Sequence, residues 1–168
     1  MSFSMYDASA PVFARGLKAL SGVLAKAQAH VEAKKIDEAA FLQSRLYPDM
    51  FALTRQVQIA TDMAKGCVAR LAGVDIPAYE DTEVSFADLR ARLAKTIAFI
   101  EGLPAASIEG TEDKDINLVR GGVTTTVKGK AYLLEQATPN FYFHTTMTYA
   151  LLRKGGVEIG KKDFLGTA

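Results

Sequence analysis

Among the side chains of this 168-residue chain that could do chemistry, His144 is the most informative. It lies in the run Thr138-Pro139-Asn140-Phe141-Tyr142-Phe143-His144-Thr145-Thr146-Met147-Thr148-Tyr149-Ala150-Leu151-Leu152-Arg153. On a helical period Phe141, His144, Thr148 and Leu151 share one stripe, so the imidazole points with apolar neighbours. A histidine there takes a hydrogen-bond partner, binds a metal or lines a polar pocket. Two readings stand side by side. One is a core histidine held by a carbonyl, a glutamine or a tyrosine. The other is the polar group of a ligand pocket that Tyr142, Tyr149 and Tyr47 could extend.

Other candidates are weaker. Cys67 is the only cysteine, which excludes an intrachain disulfide and a Cys-rich metal site. It falls on the stripe of Ala64, Val68 and Leu71, as an unreactive buried thiol would. Arg55 and Arg153 could bind an anion, but surface ion pairs explain them more simply. Asp49 is expected in the first turn of a helix, at its positive end. Gly121-Gly122 lacks the strand–loop–helix setting of a phosphate loop. No nucleophile has a histidine base in a recognisable motif.

The elements that must position these residues are mostly helical. The first helix is expected from about Ser4 to Lys34, with Ser4 and Asp7 resembling a capping box. Pro11 should kink it unless it starts at Ser9. Asp37 caps a short turn that runs to about Leu42. A second long helix follows Tyr47-Pro48 and stops at Gly73. After an acidic loop, Ser85 and Asp88 open the third, with a Val84–Leu89 staple, and Gly102 and Pro104 close it. Ile116–Val119 and Val123–Val127 flank Arg120-Gly121-Gly122 as a β-hairpin, expected to lie across the helices as an ornament. Residues 130–136 read as a helical turn or an extended return. Thr138 is expected to cap the fourth helix, with Pro139 at its first position and Gly155-Gly156 as the stop. The tail from Val157 is expected to be irregular. The whole is an all-α, up-down four-helix bundle with a small hairpin between helices three and four, a single domain over 1–168.

Composition bounds the function. Hydrophobic residues make up 49% of the chain and charged residues 23%, with formal net charge +1 and no basic run, which argues against nucleic-acid binding. The N-terminus lacks the pattern of a signal peptide, and no stretch reads as a membrane span. A reducing cytoplasm suits the cysteine usage.

Four segments carry a resemblance that spans nearly the whole chain. They are Ser4-Met5-Tyr6-Asp7-Ala8-Ser9-Ala10-Pro11-Val12-Phe13, Arg45-Leu46-Tyr47-Pro48-Asp49-Met50-Phe51, Gln56-Val57-Gln58-Ile59-Ala60-Thr61-Asp62, and Pro139-Asn140-Phe141-Tyr142-Phe143-His144 with Leu151-Leu152-Arg153. Together they resemble a bacterial and fungal domain-of-unknown-function family within the DinB-like (DinB/YfiT-like) superfamily of four-helix bundles. The resemblance implies a fold that often dimerises. Many members bind Zn or Ni through one histidine on the second helix and two spaced by four on the fourth, and some are thiol-dependent transferases. This chain departs from that pattern. It has two histidines, His30 and His144. Thr148 stands four residues after His144, and the second helix offers Gln56, Gln58 and Asp62 instead of an imidazole. The expected ligand pocket is therefore His144, Gln56, Tyr149, Thr148 and Asp62, without a cofactor. His144 with Asp62 is the weak metal alternative. The expected function is small-ligand binding or interaction through a homodimer, with a divergent Zn- or Ni-dependent thiol transferase as the alternative.

Overall fold

The computed structural model describes residues 4–167, and for Arg120 the backbone alone. The parts of the N-terminal and tail readings that rest on residues 1–3 and 168 lie outside the described residues. The chain is mostly helical. Its elements are α1 (Ala10–Lys34), α2 (Glu38–Leu42), α3 (Leu53–Ala72), α4 (Phe86–Glu101), β1 (Asp115–Arg120), β2 (Val123–Lys128), α5 (Gly129–Ala131), α6 (Thr138–Lys154) and α7 (Lys161–Leu165). α1 packs on α4, α4 on α3, α3 on α6 and α6 on α1, so the four long helices enclose one core. Phe13 from α1 meets Phe141 from α6 edge-on at 5.1 Å between ring centroids. Gly16 permits this approach, since a Cβ there would come within 2.8 Å of the Phe141 ring.

Local chemistry explains most boundaries. Asp37 accepts from the amides of Ala39 and Ala40 and starts α2. Ser85 accepts from Asp88 N and starts α4, while Asp88 accepts in return from Val84 N, one residue before the cap. Gly73 ends α3 in the left-handed conformation. Gly121 and Gly122 both have positive φ, 55° and 79°, as a tight two-residue hairpin turn requires.

Several expectations are corrected. Helix α1 does not reach back to Ser4 but takes the later of its two expected starts: Ser9 is the N-cap and Ala10 the first residue, so Pro11 sits in the first turn, where a missing N–H costs nothing. Ser4 accepts from Asp7 N in a separate preceding turn. Asp49 is exposed in a turn ahead of α3, which begins only at Leu53. Val84 is 76% exposed, so it makes no staple with Leu89. Thr138 caps nothing: a π-helical stretch, Tyr132–Ala137, runs straight into α6, and the Thr138 hydroxyl is buried without a partner among the described residues. A wider turn accommodates Pro139, which lacks an N–H and would press on the carbonyl four residues back. The tail is also not irregular. Asp163 accepts from Gly160 N at 2.8 Å to open α7, and Gly166 ends it with φ +66°.

The hairpin is more than an ornament. Ile116 and Leu118 join the hydrophobic core, while β2 faces outward. Lys114, just before β1, donates to the carbonyl of Leu71 at the end of α3.

Candidate functional site

The α3–α6 contact brings Gln56 and His144 together across the core. Both are buried, and His144 retains 8% exposure. The imidazole Nδ1 lies 2.7 Å from Gln56 Oε1. The Gln56 amide is itself oriented, because its Nε2 donates to the carbonyl of Phe51 at 3.1 Å. A carbonyl oxygen accepts only, so Gln56 must turn its NH₂ to Phe51 and its oxygen to the histidine. The proton therefore sits on Nδ1, which donates, and Nε2 is left with a free lone pair. Burial, reinforced by the positive Arg55 nearby, pushes the His144 pKa below its ordinary value. Near neutral pH the ring is an uncharged acceptor of fixed tautomer. A buried amide orients the imidazole here, as a third group orients the base in many catalytic sites.

Thr148 lies one turn on, fully buried, and donates its hydroxyl to the His144 carbonyl at 2.9 Å. Phe143 packs its ring edge-on against the imidazole at 5.2 Å and is 52% exposed. Two other expected pocket residues face elsewhere. Tyr149 stacks edge-on against Phe164 of α7. Asp62 pairs with Lys65 at 2.8 Å and with Arg92 of α4 at 2.9 Å. Helical phase explains the split: on α3, Gln56 faces α6, whereas positions 58, 61, 62 and 65 turn toward α4 and its loop. His30 lies at the far end of α1 beside Phe41.

A three-imidazole metal set does not fit these residues. The α3 position that meets His144 holds an amide, and the position four after it holds a hydroxyl engaged with backbone. Among the described residues no group of three or more His, Cys, Asp or Glu could hold an ion. Cys67 is fully buried on α3, and its burial pushes the thiol up to about 12.

Sequence reasoning missed a second polar cluster. Arg92 of α4 has a side chain only 2% exposed. It donates to Thr61 at 2.7 Å and to Glu83 at 3.0 Å, and pairs with Asp62 and Asp81. Burial works against its charge as the largest single effect. The Glu83 hydrogen bond and the three carboxylates outweigh it and raise the pKa. Tyr79 lies under three cations, Lys65, Arg92 and Lys95. The signal available in the sequence was an arginine on the apolar side of an amphipathic helix, at the period of Leu89 and Leu93. Its partners lie about 10 and 30 residues away, so spacing did not reveal them.

A crystal structure of a DinB family member protein from Shewanella denitrificans is 40% identical to this chain, with a TM-score of 0.87, covering 97% of this chain and 92% of that one. Among curated proteins nothing matches. The family model described as a domain of unknown function (DUF1993) matches residues 5–165. The chain belongs to this DinB-like family of unknown function.

Proposed function

We propose that this protein is a single-domain, DinB-like four-helix bundle over 1–168 that binds a small amphipathic molecule at the α3–α6 seam. His144 Nε2 is the acceptor for a ligand hydroxyl, thiol or N–H, and the half-exposed Phe143 ring is the apolar wall beside it. One observation carries the reading: Phe51, Gln56 and His144 form a chain of hydrogen bonds that fixes the tautomer and leaves Nε2 without a partner among the described residues. A histidine held only for packing has no need of a lone pair kept free. The test is ¹⁵N NMR of the two histidines, with phenol as a donor probe. A phenol-dependent shift at His144 Nε2, lost in Gln56→Ala, supports binding; an unmoved resonance sinks it.

The alternative from the wider superfamily, a Zn- or Ni-dependent thiol transferase, needs donors beyond those at this seam. Elemental analysis of purified protein tests it, and stoichiometric metal lost in His144→Ala would favour it over ligand binding. The chain is further proposed to form a homodimer in the cytoplasm. No charged residue occurs from Gln136 to Leu152, and within that run Tyr142 and Phe143 are exposed. Charge-depleted, aromatic-rich faces are typical of interface cores. Light scattering on the wild type and on Phe143→Lys separates a dimer through this face from a monomer. Among the described residues no helix is long and apolar enough to cross a membrane.

A further inference from the structure

Arg70, in the last turn of α3, has no carboxylate partner among the described residues. The ordinary task of a cation there is to meet the carbonyls that end the helix. Lys114 already does so, donating to the Leu71 carbonyl at 2.8 Å. The Arg70 guanidinium lies one turn back instead, over Gly66, where a Cβ would stand 2.8 Å from Nη1. Glycine inside a helix costs about 1 kcal/mol relative to alanine, and here it leaves room for the charged group. Nη1 donates to the Tyr132 hydroxyl at 3.0 Å, and the guanidinium carbon lies 5.8 Å from the centroid of that ring. The rest of the fork has no acceptor among the described residues. Arg55 and Arg92, by contrast, spend theirs on carboxylates of the chain.

Arg70 opens onto a cavity of about 210 Å³ between α3, the hairpin, the π-helical stretch and α6. Met63 and Leu118 give it apolar walls. Asn140 of α6 lines it as well, and its side-chain amide makes no hydrogen bond among the described residues. Tyr132 and Gln136 come from the π-helical stretch, a feature frequent at functional sites. We infer that this cavity binds a small monocarboxylate with an apolar body. The carboxylate takes the open edge of the Arg70 fork, whose planar donors match it. Asn140 offers a second donor, and the body lies against Met63 and Leu118. A single cation suits a monoanion better than a phosphate dianion. Drug-sized ligands fill about 300–1,000 Å³, so this cavity takes a smaller molecule. Met63 stands two turns beyond Gln56 on α3, about 10 Å along the axis, so the site is separate from His144 and does not rest on ligand binding there.

Benzoate is the probe, with benzamide as its uncharged counterpart and inorganic phosphate as the competing anion. Each is titrated into the full chain and followed by NMR at the Arg70 Nε–H, the Asn140 side-chain amide and the His144 ring. Benzoate should shift Arg70 and Asn140 saturably and leave His144 unmoved. It should bind about tenfold or more tightly than benzamide, as a charge-assisted contact does. Arg70→Gln should remove that difference. Arg70→Lys, which keeps the charge without the fork, should keep only part of it. Asn140→Ala, which breaks no side-chain bond within the described residues, should weaken benzoate binding while the backbone spectrum stays that of the wild type. Equal affinities for benzoate and benzamide, a preference that survives Arg70→Gln, undiminished binding in Asn140→Ala, or phosphate binding more tightly than benzoate would overturn the inference. So would an Arg70 resonance that no probe moves, and that result would leave ligand binding at His144 untouched.

Discussion

The Gln56 amide decides which nitrogen of His144 holds the proton, and that choice has measurable consequences. Replacing the amide by a carboxylate, Gln56→Glu, places a negative charge against Nδ1. The His144 pKa should then rise, since a nearby opposite charge favours the cation. NMR titration of the ring gives this directly, and an unchanged or lower value would mean the contact does not form in solution. A second consequence concerns stability. Burial first, then Arg55, lowers the folded-state pKa of His144 below its unfolded value of about 6.5. The unfolded chain therefore binds the extra proton more readily. The contribution is fully present above about pH 6.5 and is lost as the pH falls below it. His144→Gln, which cannot titrate, should show a flatter loss of stability between about pH 7 and pH 5 than the wild type. Denaturant melts at several pH values make the comparison. Parallel slopes for the two proteins would contradict the lowered pKa. The sequence made His144 legible as a polar group on an apolar stripe, because that depends only on helical phase. Its partner was harder to read. Gln56 and Asp62 were equal candidates until the packing of α3 turned one toward α6 and the other toward Arg92.

Elements whose ends are set by local chemistry could be read from the chain, and elements set by tertiary packing could not. Ser85, Asp37, Gly73 and the Gly121-Gly122 turn act on atoms within a few residues, so their types and positions suffice. Thr138-Pro139 carries the same kind of signal, yet the chain before it is already helical, and the cap is overridden. Helix α7 was missed for the opposite reason. It is five residues long, and an isolated helix of that length does not persist in water. It exists because it packs on α1, where Lys26 pairs with Asp163. The hairpin shows how the two kinds of information divide. β-Branched residues on either side of the Gly-Gly turn predicted its strands, whereas the depth to which it sits depends on Leu118 and Ile116 reaching the core. Leu118→Ala should therefore cost about 2–4 kcal/mol, and Val119→Ala, at an exposed site, less than about 0.5 kcal/mol. Equal small effects in chemical denaturation would return the hairpin to a surface ornament. Gly129, at the junction into α5, is a stricter case. A Cβ there would stand 2.1 Å from the Thr111 carbonyl oxygen, and backbone cannot rotate away as a side chain can. Gly129→Ala should be among the most damaging single changes, about 3 kcal/mol or more. Gly16→Ala, facing only the Phe141 ring, should cost less.

At the scale of the whole molecule, Arg92 ties together parts that the helices alone leave separate. The chain from Gly73 to Ser85 has no regular structure, yet its Tyr79, Glu80, Asp81 and Glu83 all meet Arg92 or its neighbours across α3 and α4. A buried arginine is costly to desolvate, so its net worth to stability is small unless its partners are well placed. Here each carboxylate keeps another contact if the guanidinium is removed: Asp62 with Lys65, Asp81 with Arg55, Glu83 with Gln58. Arg92→Met retains the apolar stem and strands no anion. It should lower global stability by about 1–3 kcal/mol, below the usual cost of breaking a fully buried pair. Its main effect should be local. Hydrogen exchange in residues 79–84 should speed up by an order of magnitude or more while the amides of α1 and α6 keep their protection, because local opening needs only the contacts of the segment that opens. Uniform acceleration throughout the chain would instead make Arg92 a part of the common core. The loop carries Asp81, which pairs with both Arg92 and Arg55, so the buried arginine that anchors the loop is also tied to the first turn of α3, next to the Gln56 that holds His144.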